Sequence, residues 1–411
     1  MTRAARLFAF LILAFASGPA LADGLRVRIV GGLNGGWSDA TSLDTSLGFQ
    51  NRTTRAGSAR LMWNKTAGDF RFEVHSHVTF ADGDDVAYAT ALAPFLPATV
   101  PSTLFDLSTT WYSSTSSLVT NTIDRLSVSY TTPNMVFRVG RQAITWGSGM
   151  VFHPGDIVAP FSPSAVDTSY KTGADMVYAQ YLFENGADIQ AIAVPRGTSF
   201  GGPIMYDAST YAIRARAQID SLDGSLMFSR DRGDSVASLG LSGALGGASW
   251  NAEYVHWVLD SGATHPSWLF NITNFGTLGD WNISYFAEYY HNGFGVDAST
   301  ALNVLPASLT KRMSTGQVFY AGRDFLSLGS QLQMTADLSM APTAVISLND
   351  RSALVGMAVN YTLGDNTNLV FNYFQPLGPD GSEFGGRETV AGSGIYVGQS
   401  RSAAVQLVHF F

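Results

Sequence analysis

The chain has 411 residues and a formal charge of −8; only 14% of its residues are charged, 46% are hydrophobic, and cysteine is absent. A soluble domain carries roughly a quarter charged residues, so a chain with this few conceals much of its surface from water. The acidic balance gives no electrostatic footprint for nucleic acid, the missing cysteines exclude disulfides and thiolate metal sites, and a single apolar run excludes a helical membrane protein with several spans of about 20 residues.

That apolar run comes first. Arg3 and Arg6 precede residues 7–16, and Ser17-Gly18-Pro19 then leads to the small-x-small triplet Ala20-Leu21-Ala22. The pattern predicts a secretory signal peptide, 1–22, cleaved after Ala22, because about ten apolar residues are too few to span a bilayer. Residues 23–411 then form the mature protein.

Beyond it, apolar and polar positions alternate in segments of about ten residues, the period of two expected of strands. In 69–80, Phe70, Phe72, Val74, Val78 and Phe80 share one face, and Arg71, Glu73, His75 and His77 share the other. The same zigzag predicts strands near 25–33, 56–66, 69–80, 122–131, 135–146, 173–183, 187–194, 208–219, 224–231, 234–243, 247–258, 267–274, 281–291, 317–333, 337–348, 352–362, 366–375 and 395–411. Tight turns such as Ala67-Gly68, Pro133-Asn134 and Gly246-Gly247 alternate with mostly long connections such as 81–121, 147–172, 292–316 and 376–394. The connections near Arg232-Gly233 and Asn349-Asp350 are the short exceptions. This alternation predicts an all-β fold: a single transmembrane antiparallel β-barrel of about 18 strands, with about 16 the next choice, short periplasmic turns and long extracellular loops. Two aromatic bands follow from that registration. Trp63, Phe70, Tyr130, Phe137, Tyr181, Phe183, Trp250, Trp281 and Tyr361 fall beside the short turns, while Phe80, Tyr211, Trp257, Trp268, Tyr289 and Tyr373 fall at the opposite ends. A secreted sandwich or propeller would leave both bands unexplained.

An arginine or lysine on the lipid side at mid-bilayer costs about 2–4 kcal/mol, so the charged faces are expected to line the lumen. The expected lumen residues are Arg60, Arg71, Glu73, His75, Arg125, Arg138, Arg141, Arg214, Arg216, Glu253 and Glu288. Arg138 and Arg141 have opposite parity, and a β-bulge at Gly140 would turn both inward. About eighteen strands enclose an aqueous channel unless loops obstruct it. The connection 147–172 is the expected obstruction: its apolar Phe152 and Phe161, with Asp156 between them, suit an inward fold better than a solvated loop. An outward lid is the alternative. The arginines suit anionic or hydroxylated solutes, although the acids among them equally suit cross-strand pairs that hold the wall together. His75 and His77 lack a third ligand nearby, Asp82, Asp84 and Asp85 lack an EF-hand pattern and read as a solvated turn, and neither a metal nor a cofactor is expected. No G-x-S-x-G signature points to an enzyme.

The chain ends with Ala403, Val405, Leu407, His409 and Phe411 on one strand face. This resembles the C-terminal strand of bacterial outer-membrane proteins, in which the terminal Phe is part of the signal read by the barrel-assembly machinery; His409 departs from the usual apolar residue. The stretches from Gly140 to Gly147, Pro154-Gly155-Asp156, Pro160-Phe161-Ser162-Pro163, Leu348 to Leu354 and Gly381 to Gly385 resemble large proteobacterial outer-membrane porin-like barrels, loosely similar to alginate-export channels. The resemblance implies a porin-like channel in the outer membrane of a Gram-negative bacterium, in contact with lipid and lipopolysaccharide and passing small hydrophilic solutes. A barrel with a plugged lumen serving a structural or assembly role, or a lipid-modifying enzyme, stands as the alternative.

Overall fold

The structure is a computed structural model that describes residues 24–95, 102–163, 170–297 and 300–411. The expected signal peptide lies outside the described residues. In chain order the strands are β1 (Leu25–Trp37), β2 (Asn51–Ala67), β3 (Phe70–Gly83), β4 (Ser108–Ser113), β5 (Ser117–Thr131), β6 (Met135–Gln142) and β7 (Ala174–Leu182). They continue with β8 (Asp188–Val194), β9 (Thr210–Ile219), β10 (Leu222–Asp231), β11 (Asp234–Leu245), β12 (Ala248–Val258), β13 (Thr264–Leu278) and β14 (Trp281–His291). The last seven are β15 (Asp324–Gln333), β16 (Leu338–Ser347), β17 (Ala353–Gly364), β18 (Thr367–Leu377), β19 (Arg387–Glu388), β20 (Tyr396–Val397) and β21 (Arg401–Phe410).

Without β4, β19 and β20, the strands form a closed antiparallel barrel of 18. Each pairs with its neighbours in the chain, and β21 returns to β1 with Arg28 opposite Phe410 and Trp37 opposite Arg401. Closure matters because lipid offers no hydrogen bonds: a sheet without edges satisfies every strand N–H and C=O within itself. The period of two then separates two solvents. Leu126, Val128, Met135, Phe137, Leu226, Phe228, Leu239 and Phe371 lie exposed on the outside, while Arg60, Ser127, Asp188, Asn271 and Glu288 on the opposite parity are buried. A band of exposed Trp63, Phe70, Tyr130, Phe137, Tyr181, Phe183, Trp281 and Tyr361 runs beside the short turns. Within it Phe70 meets Tyr130 at 5.1 Å and Tyr181 meets Phe183 at 5.0 Å between ring centroids.

The wall departs from its expected layout in several places. The β5–β6 and β6–β7 ladders pass Gly140 in register, so no bulge lies there. The bulge occurs on β5, where the pairing with β3 skips Asp124 between Ile123 and Arg125 and brings that carboxylate to the lumen side beside Arg60. Gly140 answers a different need: its φ is +119°, and a Cβ there would sit 2.1 Å from the Leu126 carbonyl oxygen. Because β6 is short, β4 takes its place along the outer half of β5, pairing Ser108 with Thr122 and Ser113 with Leu118. The expected strand start at 317 is also displaced. Residues 317–323 run inside the barrel before β15, because their apolar side chains meet other loops rather than lipid. Trp257, expected in the upper aromatic band, faces inward beneath the Arg312 guanidinium at 4.3 Å, and Phe80 is buried rather than exposed.

The division of faces is testable. Leu239→Arg, on the lipid side of mid-β11, should lower unfolding stability of the refolded barrel by about 2–4 kcal/mol, whereas Asn360→Arg, on the lumen side of β17, should change it by less than about 1 kcal/mol; urea unfolding in lipid vesicles measures both.

Candidate functional site: the loop-crossed lumen

The connection 143–173 leaves the wall at β6 and reaches strands on the far side of the barrel. Glu253 on β12 accepts hydrogen bonds from the Ser148 and Gly155 amides. Glu288 on β14 accepts from the amides of Met150 at 2.5 Å, Val151 at 3.1 Å and Phe152 at 2.9 Å. Asn271 on β13 donates to the Ser148 carbonyl and to Glu288, both at 3.2 Å. These amides belong to no strand, so they need acceptors, and a buried carboxylate needs donors. On its return the loop is closed by an ion pair between Asp156 and Lys171. Tyr170 then lies under Arg60 at 4.4 Å and Arg28 at 5.6 Å, and Arg125 donates to the Lys171 carbonyl.

Two dry clusters rest on this loop. One gathers Trp146, Ile157, Met176, Val194, Met227, Val255, Trp257, Phe294, Leu309 and Val318. The other gathers Phe152, Leu269, Tyr290, Phe325, Val345, Leu354 and Phe384, with Phe152 stacked on Tyr290 at 4.5 Å. The connection 292–323 contributes to both, and 378–400 contributes Phe384 to the second. Within the first of them, a helix over Ala307–Ser314 buries Leu309 and Arg312, and Arg312 bonds Asp234 at 2.5 Å. Phe161 is half-buried. Of the lumen-facing residues elsewhere, Asn34, Ser58, Thr79, Thr120, Asn360 and Gln406 are polar and partly exposed, while Val30, Met62, Leu354 and Val408 are buried.

The charged residues expected in the lumen fall into distinct settings. Arg60 pairs with Asp124 inside the wall, and Arg125 donates to the Asp124 carbonyl at 2.7 Å. His75 lies 3.4 Å from Glu73, and Arg71 is exposed at the periplasmic end of β3. Arg138 donates to the Ser129 hydroxyl at 2.8 Å. Arg216 meets Asp188, its direct cross-strand neighbour, at 2.6 Å. Arg214 lies 6.0 Å from the Trp146 ring centroid. Arg141 takes a different place from the lumen lining expected of it. It fills the seam above β6, bonded to Asp175 and to the carbonyls of Ile123 and Phe105, because without a bulge its parity points away from the channel. Asp124, Lys171, Asp234 and Arg312 escaped the sequence reading. Of these, Lys171 carried a signal, as one of the chain's three lysines.

At the extracellular rim, Asp44 ties three connections together, bonded by Arg52, by Ser38 and Ser400 and, at 2.6 Å, by Tyr88. Burial alone would raise the Asp44 pKa, but the hydrogen bonds from Tyr88, Ser38 and Arg52 outweigh it and hold the carboxyl below its usual value. Burial and the Asp44 hydrogen bond push the Tyr88 phenol up to about 12. Asp84 and Asp85, expected in a solvated turn, belong to the same rim: Asp84 accepts from the Thr53 amide and Asp85 from Arg52. Asp82 accepts from the Ser117 hydroxyl.

A closed barrel with an apolar outside, an aromatic interface band and a charged, loop-crossed interior has the architecture of a porin-like transmembrane β-barrel. No protein-family model matches the chain, and no curated protein matches it either. Among solved structures it is similar to OccAB2 of Acinetobacter baumannii, with a TM-score of 0.53, 9% identity and coverage of 94% of this chain and 97% of that one. OpdQ of Pseudomonas aeruginosa has a TM-score of 0.52, 8% identity and coverage of 95% and 99%. Wzi of Escherichia coli, an outer-membrane protein involved in group 1 capsule assembly and described as a carbohydrate-binding β-barrel, has a TM-score of 0.52, 11% identity and coverage of 99% and 88%.

Two expectations follow from the anchors. Glu288→Ala leaves three loop amides without their acceptor, at about 1–3 kcal/mol each, and should expose 148–160 to protease in the folded barrel, as seen by mass spectrometry of the fragments. The Asp44 carboxyl, with its folded pKa below 3.8, stabilises the rim above about pH 3.8 and loses that contribution as pH falls through the folded value. Between about pH 4 and 2.5 the thermal midpoint should therefore drop further in the wild type than in Asp44→Asn, by the equivalent of about 1–2 kcal/mol.

Proposed function

We propose that the protein is a passive outer-membrane channel of narrow bore for small hydrophilic solutes, with a preference for anionic or hydroxylated ones. The observation that carries this is the asymmetry of the interior. The loop is tied to the β12–β14 side by Glu253 and Glu288, while the β17–β5 side carries partly exposed polar side chains at Asn34, Ser58, Thr79, Thr120, Asn360 and Gln406. That leaves an eccentric aqueous path between the loop and the polar wall. Arg28 and Arg60 flank Tyr170 at the loop's return, and Arg125 stands beside them. Asp124 pairs with Arg60, and the Arg125 guanidinium stands beside the same carboxylate, an arrangement that supports a preference for anions.

A second reading has support of its own. The two dry clusters fill the lumen beneath the extracellular loops, as a barrel closed for a binding or assembly role would require. Wzi, with its similar fold, is described as carbohydrate-binding.

Single-channel recording in a planar bilayer separates the readings. The channel reading expects discrete steps at neutral pH, a several-fold larger step when residues 150–165 are deleted, and a reversal potential that shifts toward cation preference in Arg60→Gln/Arg125→Gln. Complete silence from correctly folded protein, with and without the deletion, would overturn it in favour of the closed barrel.

A further inference from the structure

On the periplasmic side of the loop, strands β8–β12 enclose a cavity of about 490 Å³. Its walls are Asp188 on β8, Arg214, Arg216 and Gln218 on β9, Asp223 and Ser225 on β10, and Ser242 on β11. Asn185 and Gly186 in the short β7–β8 turn stand at its periplasmic end. At the other end are Ser148 and Glu253, the first anchor of the crossing loop. Beyond that anchor the same strands contribute Ile192, Val194, Ala212, Met227, Val236 and Val255 to a dry cluster. The cavity is therefore blind toward the outside and open toward the periplasm, a recess beside the proposed path rather than part of it.

Its charge is organised unlike the rest of the lumen. Arg60, Arg125, Arg138 and Arg216 each spend their guanidinium on a wall acceptor. Arg214 donates no hydrogen bond to any described residue, yet it is half-buried, edged by Trp146 and turned into the recess. A desolvated guanidinium with its donor fork unused fits a carboxylate or phosphate bidentately. Around it Gln218, Asp223, Ser225 and Ser242 offer amide, carboxylate and hydroxyl groups, the complement of ligand hydroxyls. Gly240 on β11 keeps room for the ligand, since a Cβ there would meet the Ser225 hydroxyl. The volume lies at the lower end of the range of small-molecule sites.

We infer that this recess is a periplasm-facing binding site for a small hydroxylated anion: one carboxylate or phosphate held by Arg214, with hydroxyls held by Gln218, Asp223, Ser225 and Ser242. The inference deepens the channel reading by giving solutes a resting site beside the path, but binding here does not require conduction.

Titration calorimetry of the folded full-length barrel in detergent tests it with gluconate and glucose 6-phosphate as hydroxylated anions, glucose as the neutral match and acetate as the bare carboxylate. Saturable binding of at least one hydroxylated anion, at least tenfold tighter than glucose and acetate, is expected; gluconate and glucose 6-phosphate compared with each other assign the acidic group. Arg214→Gln should weaken that binding at least tenfold. Ser242→Phe, which fills the recess and leaves the arginine in place, should abolish it, and heat-modifiable gel mobility verifies that both variants are folded. Equal affinity for gluconate, glucose and acetate, or unaltered binding in folded Arg214→Gln, would overturn the site. Binding without conductance would sink the channel and leave the site standing, and conductance without binding would do the reverse.

Discussion

The interior of this barrel depends on a mutual need. Glu253 and Glu288 are carboxylates buried in the wall, and the amides of 148–155 are backbone groups without strand partners. Either set alone would be costly to bury; an unpaired charge is costlier still. Brought together, they satisfy each other with charge-assisted hydrogen bonds and draw a loop from β6 across to β12 and β14. The dry clusters rest on the backbone so placed: Phe152 reaches Tyr290 and Phe325 because its own amide is bonded to Glu288.

The rest of the lumen follows from how much apolar surface the connections bring. Residues 292–323 carry Phe294, Leu309 and Val318, and 378–400 carries Phe384, so these segments bury themselves against the loop and the β7–β17 wall. Polar pairs then lock them to one another, as Glu383 accepts from the Ala321 amide and pairs with Arg387. Along β1–β5, by contrast, lumen positions such as Asn34, Ser58, Thr79 and Thr120 are polar and partly exposed.

Strand number, connectivity, closure and the lower aromatic band were legible because lipid outside and polar lumen inside impose a period of two that nothing else in the chain imitates. The errors share one physical cause. Alternation reports which face avoids water, without reporting whether lipid or a folded-in loop covers it. Trp257 and residues 317–323 have the apolarity of lipid-facing elements and are covered by loop atoms instead. The helix over Ala307–Ser314 was missed for a related reason: Leu305, Leu309 and Met313 repeat every four residues but over too short a span to stand out, and their burial comes from the barrel rather than from helix propensity. The bulge was misplaced because Gly140 carries a visible signal for unusual backbone, whereas Asp124 becomes a bulge only in register with His75 on β3.

Charge in the site was legible as inventory and not as field. The sequence supplies the arginines; the structure decides which of them are already answered. Arg216 faces Asp188 across one ladder rung, Arg60 has Asp124, and Arg141 has Asp175, so each of these pairs presents little net potential to a passing solute. A guanidinium contributes to selectivity in proportion to what its neighbours leave uncompensated. By that measure Arg214 counts for most, because it donates no hydrogen bond to a described residue even though Asp188 and Glu253 line the same recess. A lumen richer in total arginine, but with every one matched across the strand, would discriminate less than this one does.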